Sequence, residues 1–450
     1  MRLRTFPCSG LQMKWNMGNT SDDGSKVPST GREHRNSGRR SGAVLRLAGL
    51  FLAVLLAAGV PAESAYAASF LAVMYETVVS SIRSSAKTQS AASAKSAASS
   101  AKSSADDSEA SVDADGPETA AESQEAALSF YQKLACGEDV TILVIGDSIG
   151  AGAGASSTEA MWFNVMTDYL ADTYYGDEDN SGGHILLTNV SMCGNDSYAG
   201  YVTAMAFDDG VDYDLVILCY GQNDSLNEFA EYYEAFIRAV KTRYPNASLL
   251  SVLESSQETY TEKILQTIEL CSWYAIPMVD TIVAFAESGY DMSELTYDGV
   301  HPSDLGQRLY ALYAELAIEN NVALGTGIVP MPEPYGDRTD LYDEFQYYAA
   351  GDEDADSTVQ FTRVSDTSYT LTVHAEGTFG IYYSYNSGDS VPDIYIDGVQ
   401  VSKPIVLYDY DFPEGLIQVF GRSCMIQQEI TLVFETKEQA DGFLGLCVSW

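Results

Sequence analysis

Short apolar runs alternate with longer helical stretches between residues 126 and 329. The runs rich in Val, Ile and Leu lie at 140–145, 184–192, 214–220, 248–253 and 276–282, and the helical stretches lie at 159–174, 228–243, 258–273 and 303–320. Strands that are apolar almost throughout are covered on both faces, and strand–helix alternation is typical of a parallel sheet with helices on each side. The pattern predicts an α/β fold, a three-layer α/β/α sandwich with a parallel sheet, over residues 126–329.

A proline-rich stretch at 330–334 ends this alternation. Beyond it, short β-like runs are separated by Gly, Asp, Asn and Pro, and they lie at 359–363, 369–374, 380–385, 393–396, 405–408, 416–420 and 430–434. Many short strands with turn residues between them are typical of antiparallel sheets. The pattern predicts a small antiparallel β-sandwich accessory domain over residues 335–450.

The start of the chain has the order of a secretory signal. Arginines between residues 32 and 46 precede a 14-residue apolar run at 47–60, and the small-residue triplet Ala65-Tyr66-Ala67 follows. The alternative is an uncleaved membrane anchor, which the short apolar run disfavours. Residues 84–125 are mostly Ala and Ser and cannot form a core. We therefore expect a signal peptide or membrane anchor over 1–67 and a flexible spacer over 68–125.

This order also predicts where the protein acts. The body is expected to be extracellular or on the cell surface, with any membrane or cell-envelope association made through the N-terminus. Six cysteines lie beyond residue 67, and an exported chain permits disulfides whose pairing the sequence leaves open.

Charge and histidine content exclude several classes of partner. The chain has 24 Lys and Arg against 64 Asp and Glu, a formal net charge of −40. Such a protein repels polyanions, so nucleic acid is not an expected partner. Only His184, His301 and His374 lie beyond residue 67, and no CxxC or Cys/His cluster occurs. No metal site is therefore predicted.

The first apolar run leads into a glycine-rich segment, GDSIGAGAG at 146–154, which has three interpretations. GxGxxA at 150–155 matches a loose dinucleotide fingerprint, but no acidic residue ends a second strand about 20 residues later, so no cofactor is predicted. GxSxG at 146–150 also fits the nucleophile elbow of α/β-hydrolases. That fold has several strands before its serine, whereas this chain offers none before residue 140.

Three further segments favour the third interpretation. NVSMCG at 189–194 follows the second strand, GQND at 221–224 follows the third, and DGVHP at 298–302 precedes the last helix. The carboxyl ends of parallel strands converge on one crevice, so residues far apart in sequence meet there. Together with the serine at 148, these segments predict a single site at the carboxyl edge of the sheet.

In this order the four segments resemble those of the SGNH/GDSL hydrolase family, over about residues 140–321. The resemblance implies the flavodoxin-like form of the sandwich and an enzyme that acts on ester bonds. It implies that Ser148 is the nucleophile, His301 the general base and Asp298 the residue that orients the imidazole. It also implies an oxyanion hole formed by the backbone amides of Ser148 and Gly194 and by the side chain of Asn223.

The chemistry of these side chains is consistent with the implied roles. A serine hydroxyl is a poor nucleophile at neutral pH, and a neutral imidazole is the base whose pKa suits it. Asp298, three residues before His301, can accept from Nδ1 and leave Nε2 to take the serine proton. The alternative is that Asp298 only caps a turn. Gly194 lets the backbone approach closely, and Asn223 supplies an amide N–H to a developing oxyanion.

Other candidate residues have simpler explanations. His184 starts a strand and His374 lies in the β region, so both are interpreted as structural. Trp162 either packs in the core or lines an acyl pocket, and the sequence leaves this open. Tyrosines of the β region offer flat rings to sugars, although the preference of tyrosine for strands is the simpler explanation; they include Tyr382, Tyr383, Tyr385, Tyr395, Tyr408 and Tyr410.

We predict an exported, metal-independent serine esterase that removes small acyl groups, acetyl above all, from carbohydrate or other neutral esters through an acyl-enzyme. An acyltransferase that uses the same site to O-acylate a cell-envelope sugar is the nearest alternative, and a short-chain lipase or thioesterase also stays open. A non-catalytic surface-binding protein acting through the β domain is the alternative from another class. The joint presence of Ser148, Asp298 and His301 argues against it.

Overall fold

The computed structural model describes residues 127–177, 179–336, 342, 344–351, 359–374, 377–401, 412–423 and 428–450. These residues belong to one compact unit. The predicted signal segment, the spacer and the β-like run at 405–408 lie outside the described residues. Within the described part of the chain, no helix is both long and apolar enough to cross a bilayer.

The first region alternates strands with helices as predicted. Its elements are α1 (Phe130–Cys136), β1 (Val140–Gly146), α2 (Trp162–Tyr175), β2 (Ile185–Asn189), α3 (Ser197–Ala206), β3 (Leu215–Cys219), α4 (Phe229–Arg243), β4 (Ser248–Leu253), α5 (Glu262–Trp273), β5 (Met278–Asp280), α6 (Thr281–Ser288), α7 (Met292–Leu295) and α8 (Asp304–Leu324). The strands pair in parallel in the order β2-β1-β3-β4-β5. This is the flavodoxin-like order, and the predicted α/β fold is confirmed.

A separate hydrophobic cluster covers each face of the parallel sheet. Helices α3, α4 and α5 pack on one face, and α1, α2, α6 and α8 pack on the other. Strands β3 and β4 are buried at every residue, which explains why β3 is apolar throughout and β4 is apolar except at Ser248 and Ser251. The sheet is therefore a rigid base whose carboxyl edge supports the connecting loops.

Helix α3 and strand β5 are among the elements of this region that differ from the prediction. Helix α3 was not predicted, because nearly all of its residues are buried and no polar face marks its period. Strand β5 is shorter than the apolar run at 276–282 because helix α6 begins inside that run. Asp280 starts the helix by accepting a hydrogen bond from the Val283 amide at 3.0 Å.

The second region consists of two antiparallel sheets. Its elements are β6 (Phe345–Ala349), β7 (Val359–Arg363), β8 (Ser368–Val373), β9 (Gly377–Tyr385), β10 (Asp393–Ile396), β11 (Val399–Gln400), β12 (Phe412–Ser423), β13 (Gln428–Val433), α9 (Lys437–Asp441) and β14 (Phe443–Ser449). The sheet orders are β11-β10-β13-β8-β7 and β12-β9-β14-β6. Residues of both sheets share one buried cluster, so the predicted antiparallel β-sandwich is confirmed.

The four-stranded sheet also packs against the first region. Phe345, Tyr347, Ile417 and Cys447 lie in the same buried cluster as helices α3 and α4. The Tyr198 hydroxyl of α3 lies 2.8 Å from Ser449 Oγ. The two regions thus have a continuous apolar interface, and the domain limits at 329 and 335 stay a prediction.

Candidate active site

Three of the four motif segments lie at the ends of parallel strands, and the fourth precedes the last helix. GDS continues from the end of β1, NVSMCG from β2 and GQND from β3. The DGVHP segment leads into α8, and the isolated bridge between Thr296 and Pro302 closes it into a short loop. Since these strands are parallel neighbours, their carboxyl ends bring the segments to one edge of the sheet.

The structure brings Ser148, His301 and Asp298 into one hydrogen-bonded chain. His301 Nε2 lies 2.8 Å from Ser148 Oγ, and His301 Nδ1 lies 2.7 Å from Asp298 Oδ2. Ser148 is 8% exposed and His301 is 9% exposed, so solvent only weakly screens the bond between them. This geometry allows the serine proton to pass to Nε2 while the carboxylate holds Nδ1–H.

Asp298 is held as a carboxylate by the loop that it organises. Burial acts to raise its pKa, but hydrogen bonds from the His301 amide, the His301 ring and the Val300 amide outweigh it and hold the pKa of Asp298 well below its ordinary value. One oxygen, Oδ1, accepts from the amides of His301 and Val300 at 2.8 and 3.0 Å. The other, Oδ2, faces the imidazole at Nδ1. Asp298 therefore both caps the turn and contacts the imidazole, so the two roles that the sequence offered as alternatives are present together.

Neighbouring side chains hold the loop that carries Ser148, the predicted nucleophile. Asp147 Oδ1 accepts from the Ile149 amide at 2.8 Å, and the indole of Trp162 donates to the Ile149 carbonyl at 2.9 Å. Asn189 donates to the Gly150 carbonyl at 2.9 Å. Ser148 is not among the described residues with a positive φ, so this turn is not the strained elbow of α/β-hydrolases. Trp162 is fully buried, so the structure assigns it to the core.

Gln307 joins the nucleophile loop to the histidine loop. This fully buried side chain donates to the carbonyls of Gly152, Ala153 and Pro302 at 3.0–3.1 Å. The loops also approach closely at Gly154, because a Cβ there would lie 2.5 Å from the Pro302 carbonyl oxygen. The distance between Ser148 and His301 thus depends on contacts made several residues away from either.

The predicted oxyanion-hole residues Gly194 and Asn223 lie in adjacent loops. Gly194 has a φ of 74°, a left-handed conformation that favours glycine. Asn223 Nδ2 donates to the carbonyl of Asn195 at 2.9 Å and lies 3.4 Å from Asp147 Oδ2. Asn195 thus accepts one amide hydrogen of Asn223, and the second faces Asp147 over the longer contact. The assignment of these residues and of the Ser148 amide to an oxyanion hole stays a prediction.

The loop that carries Asn223 is held from two sides. Lys263 of α5 donates to the carbonyls of Gly221 and Asp224, the latter at 3.0 Å. Asp224 Oδ1 accepts from both the amide, at 2.9 Å, and the hydroxyl of Ser197. The start of α3 and the GQND turn are therefore tied together.

Three buried carboxyl groups lie next to these loops. Burial is the main cause that raises the pKa of Asp147 to about 7 and of Asp224 to about 6. Burial and the nearby Asp147 and Asp224 raise the pKa of Glu254 well above its ordinary value. Such groups retain protons in the folded protein at pH values where an unfolded chain has lost them.

The other candidate residues have structural surroundings. The ring of His184 stacks on Tyr175 at 4.5 Å, and its Nδ1 lies 2.7 Å from Asp139 Oδ1. His374 is exposed in the β region. Tyr383 and Tyr385 are buried in the core of the sandwich, as strand propensity predicts, while positions 408 and 410 lie outside the described residues. Among the described side chains, no group of three or more His, Cys, Asp or Glu is arranged to hold a metal ion.

Sequence reasoning missed the residues that join the motif loops. Gln307, Lys263 and Asn195 belong to none of the four motifs, and each has a partner that is at least 39 and at most 222 residues away. Each is a polar residue without a distinguishing neighbour pattern. The one signal present in the sequence was the position of Asn195 directly after Gly194.

A hydroxyl, an imidazole and a carboxylate in hydrogen-bonded order at the carboxyl edge of a parallel sandwich define the class of serine hydrolases. Residues 144–309 match the GDSL-like Lipase/Acylhydrolase family, and this segment contains all four motif loops. The segment is a GDSL-like domain, and the protein is a serine ester hydrolase. No curated protein matches the chain.

Solved structures share the two-part architecture. A two-domain esterase active on acetylated mannans is similar at 19% sequence identity and a TM-score of 0.56, over 70% of this chain and 93% of that chain. The crystal structure of a two-domain esterase active on acetylated mannans with mannopentaose gives 19% identity and a TM-score of 0.54, over 70% and 92%. At this identity the similarity concerns the fold of both regions.

Proposed function

We propose that this protein is an exported carbohydrate esterase that removes acetyl groups from a neutral polysaccharide. The observation that carries the proposal is the continuous chain from Asp298 through His301 to Ser148, with heavy-atom distances of 2.7 and 2.8 Å. These distances are short enough for proton transfer without rearrangement of the site.

The reaction follows from the positions of these atoms. Ser148 Oγ attacks the ester carbonyl carbon while its proton moves to His301 Nε2, and the carbonyl oxygen becomes an oxyanion. The oxyanion accepts hydrogen bonds from the backbone amides of Ser148 and Gly194 and from the Asn223 side chain. The imidazolium then protonates the sugar oxygen that leaves, and an acetyl-enzyme remains. Water, deprotonated by His301, releases acetate and restores the serine.

Two features support a neutral carbohydrate as the alcohol part of the ester. A net charge of −40 repels polyanionic substrates and leaves neutral polymers unaffected. Tyr297, directly before Asp298, is 77% exposed and offers a flat ring beside the catalytic loop. The similarity in fold to an esterase active on acetylated mannans supports the choice of acetyl groups and of polysaccharide. Export rests on the signal-like order of residues 1–67.

Release of acetate tests the proposal. The purified full chain is incubated with acetylated mannan, acetylated xylan, acetylated chitin fragments, acetylated peptidoglycan and short-chain lipids, and acetate or fatty acid is measured. We expect acetate release from a polysaccharide, no release by Ser148→Ala, and full activity in EDTA. A fluorophosphonate probe is expected to label the wild-type serine and not the alanine variant. If the probe does not label the protein and no substrate releases acetate, the proposed esterase activity is refuted. The hypothesis of a non-catalytic protein that binds surfaces through the β-sandwich would then remain.

A labelled acetyl donor with a free sugar acceptor separates hydrolysis from transfer. Free labelled acetate supports the esterase. Labelled acceptor in excess over free acetate would instead identify the acyltransferase, because both products arise from the same acetyl-enzyme.

A further inference from the structure

Asn195 links two of the loops that form the predicted oxyanion hole, those of Gly194 and Asn223. It directly follows Gly194, whose backbone amide is one donor, and its carbonyl accepts the hydrogen bond from Asn223 Nδ2 at 2.9 Å. A displacement of the Asn195 peptide therefore moves Gly194 through the chain and Asn223 through the hydrogen bond. Both donors depend on the position of one residue.

The side chain of Asn195 is bound to the C-terminal region. It is 1% exposed, and its Oδ1 accepts from the backbone amide of Ile417 in β12 at 2.7 Å. Its Nδ2 lies 3.5 Å from the Gly415 carbonyl. Strand β12 is at the edge of its sheet and pairs on one side with β9. On the edge of β12 that faces away from β9, the Asn195 carboxamide thus takes the position that the backbone of a further strand would occupy. It accepts from the Ile417 amide and faces the Gly415 carbonyl.

The contacts around β12 hold both this strand and the segment that carries Asn195 in place. Ile417 is 3% exposed in the cluster shared with helices α3 and α4. Tyr198, three residues after Asn195, is hydrogen-bonded to Ser449 of β14, and Cys193 packs against the core of the sandwich. The segment from 193 to 198 is therefore held against the C-terminal sheet at several points.

Resting on the function proposed above, we propose that Asn195 is a positioning residue of the oxyanion hole, and that strand β12 of the C-terminal sheet is the support that places Gly194 and Asn223. The C-terminal region then contributes to the rate of the chemical step in addition to any part in holding polysaccharide. The substrate does not contact Asn195, which acts through the two donors.

The test compares Asn195→Ala with Asn321→Ala in the full chain. Asn321 is also buried and loses comparable hydrogen bonds, to the Ala317 carbonyl and the Thr326 hydroxyl, but it lies near the end of α8 (Asp304–Leu324), about 25 Å along the helix from the histidine loop at 1.5 Å per residue. Hydrolysis of p-nitrophenyl acetate gives kcat and KM, and thermal unfolding gives Tm.

Misplaced donors are expected to lower kcat of Asn195→Ala by about 10- to 100-fold, because loss of one donor costs about 10²- to 10³-fold and a displaced donor costs less. KM is expected to change less than about threefold, since the donors act on the transition state. Asn321→Ala lowers Tm but leaves kcat unchanged. The effect of Asn195→Ala is also smaller when Asn223 is already Ala, because the two substitutions share one donor.

Asn195→Asp keeps an oxygen for the Ile417 amide and serves as the second variant if the alanine variant does not fold. Its kcat is expected to lie between wild type and Asn195→Ala. A kcat of Asn195→Ala within twofold of wild type, or a loss of kcat equal to that in Asn321→Ala, overturns the positioning role. A wild-type chain that releases no acetate and takes no fluorophosphonate refutes the proposed function instead, so the two failures are distinguishable.

Discussion

Replacement of Asp298 by Asn acts on the contact between Asp298 Oδ2 and His301 Nδ1. Asp298 Oδ1 accepts from the amides of Val300 and His301, and an asparagine oxygen makes the same bonds, so the turn keeps its shape. At the place of Oδ2 the substitution puts an NH₂ group 2.7 Å from His301 Nδ1. Because that group donates, His301 takes the tautomer with its proton on Nε2, which then faces Ser148 and cannot accept the serine proton.

The expected loss is large and confined to kcat. An equivalent change of tautomer in a serine–histidine–aspartate triad lowers kcat by about 10⁴-fold, which corresponds to about 5.5 kcal/mol of transition-state stabilisation. The short bond, the low exposure of His301 and the depressed pKa of Asp298 indicate a strong interaction here. KM for p-nitrophenyl acetate is expected to change little, because the substrate does not contact Asp298.

The chain offers a matched control in a second Asp–His pair. His184 Nδ1 lies 2.7 Å from Asp139 Oδ1, the same separation as in the catalytic pair, but outside the motif loops. Asp139→Asn removes the negative charge from that contact and is expected to leave kcat unchanged. The assignment of Asp298 would be refuted if Asp298→Asn kept more than about a tenth of kcat, or if Asp139→Asn reduced kcat equally.

Three further predictions concern the surroundings of the site. Because the pKa of Glu254 is raised in the folded protein, protonation of this group stabilises the fold; that stability is fully present below the unfolded pKa of about 4.3 and is lost as pH rises towards the folded pKa. In wild type, the urea midpoint of unfolding is therefore expected to fall from about pH 5 upwards, and Glu254→Gln is expected to make this fall less steep. A fall that is equally steep in Glu254→Gln would contradict the prediction. Tyr297→Ala is expected to raise KM several-fold for an acetylated oligosaccharide and not for p-nitrophenyl acetate, because an aromatic contact contributes about 1 kcal/mol. Equal changes of KM for both substrates would refute the contact between Tyr297 and the sugar. Gln307→Ala removes the buried hydrogen bonds between the loop of Ser148 and the loop of His301, and it is expected to lower both kcat and the free energy of unfolding, the latter by about 2–4 kcal/mol. A loss of stability without a loss of kcat would show that the two loops keep their spacing without Gln307.

Local patterns in the sequence determined the parallel sandwich and the predicted catalytic pair of Asp298 and His301. Strands β3 and β4 are buried on both faces and are apolar at almost every position, so composition alone marks them. Asp298 and His301 are three residues apart, and a single turn brings them together. Their relation to Ser148 follows from the parallel order of the strands, because strand ends converge at one edge.

Only the tertiary structure decided which residues hold the site together. Gln307 bonds to carbonyls about 155 residues away, and Asn195 bonds to an amide 222 residues away; no local period records such partners. Helix α3 lacks a polar face because the C-terminal sheet covers the side that would otherwise contact water. Strands β6 and β14 escaped prediction because they pair with each other from positions about 100 residues apart, and pairing at that separation depends on packing rather than on nearby residues.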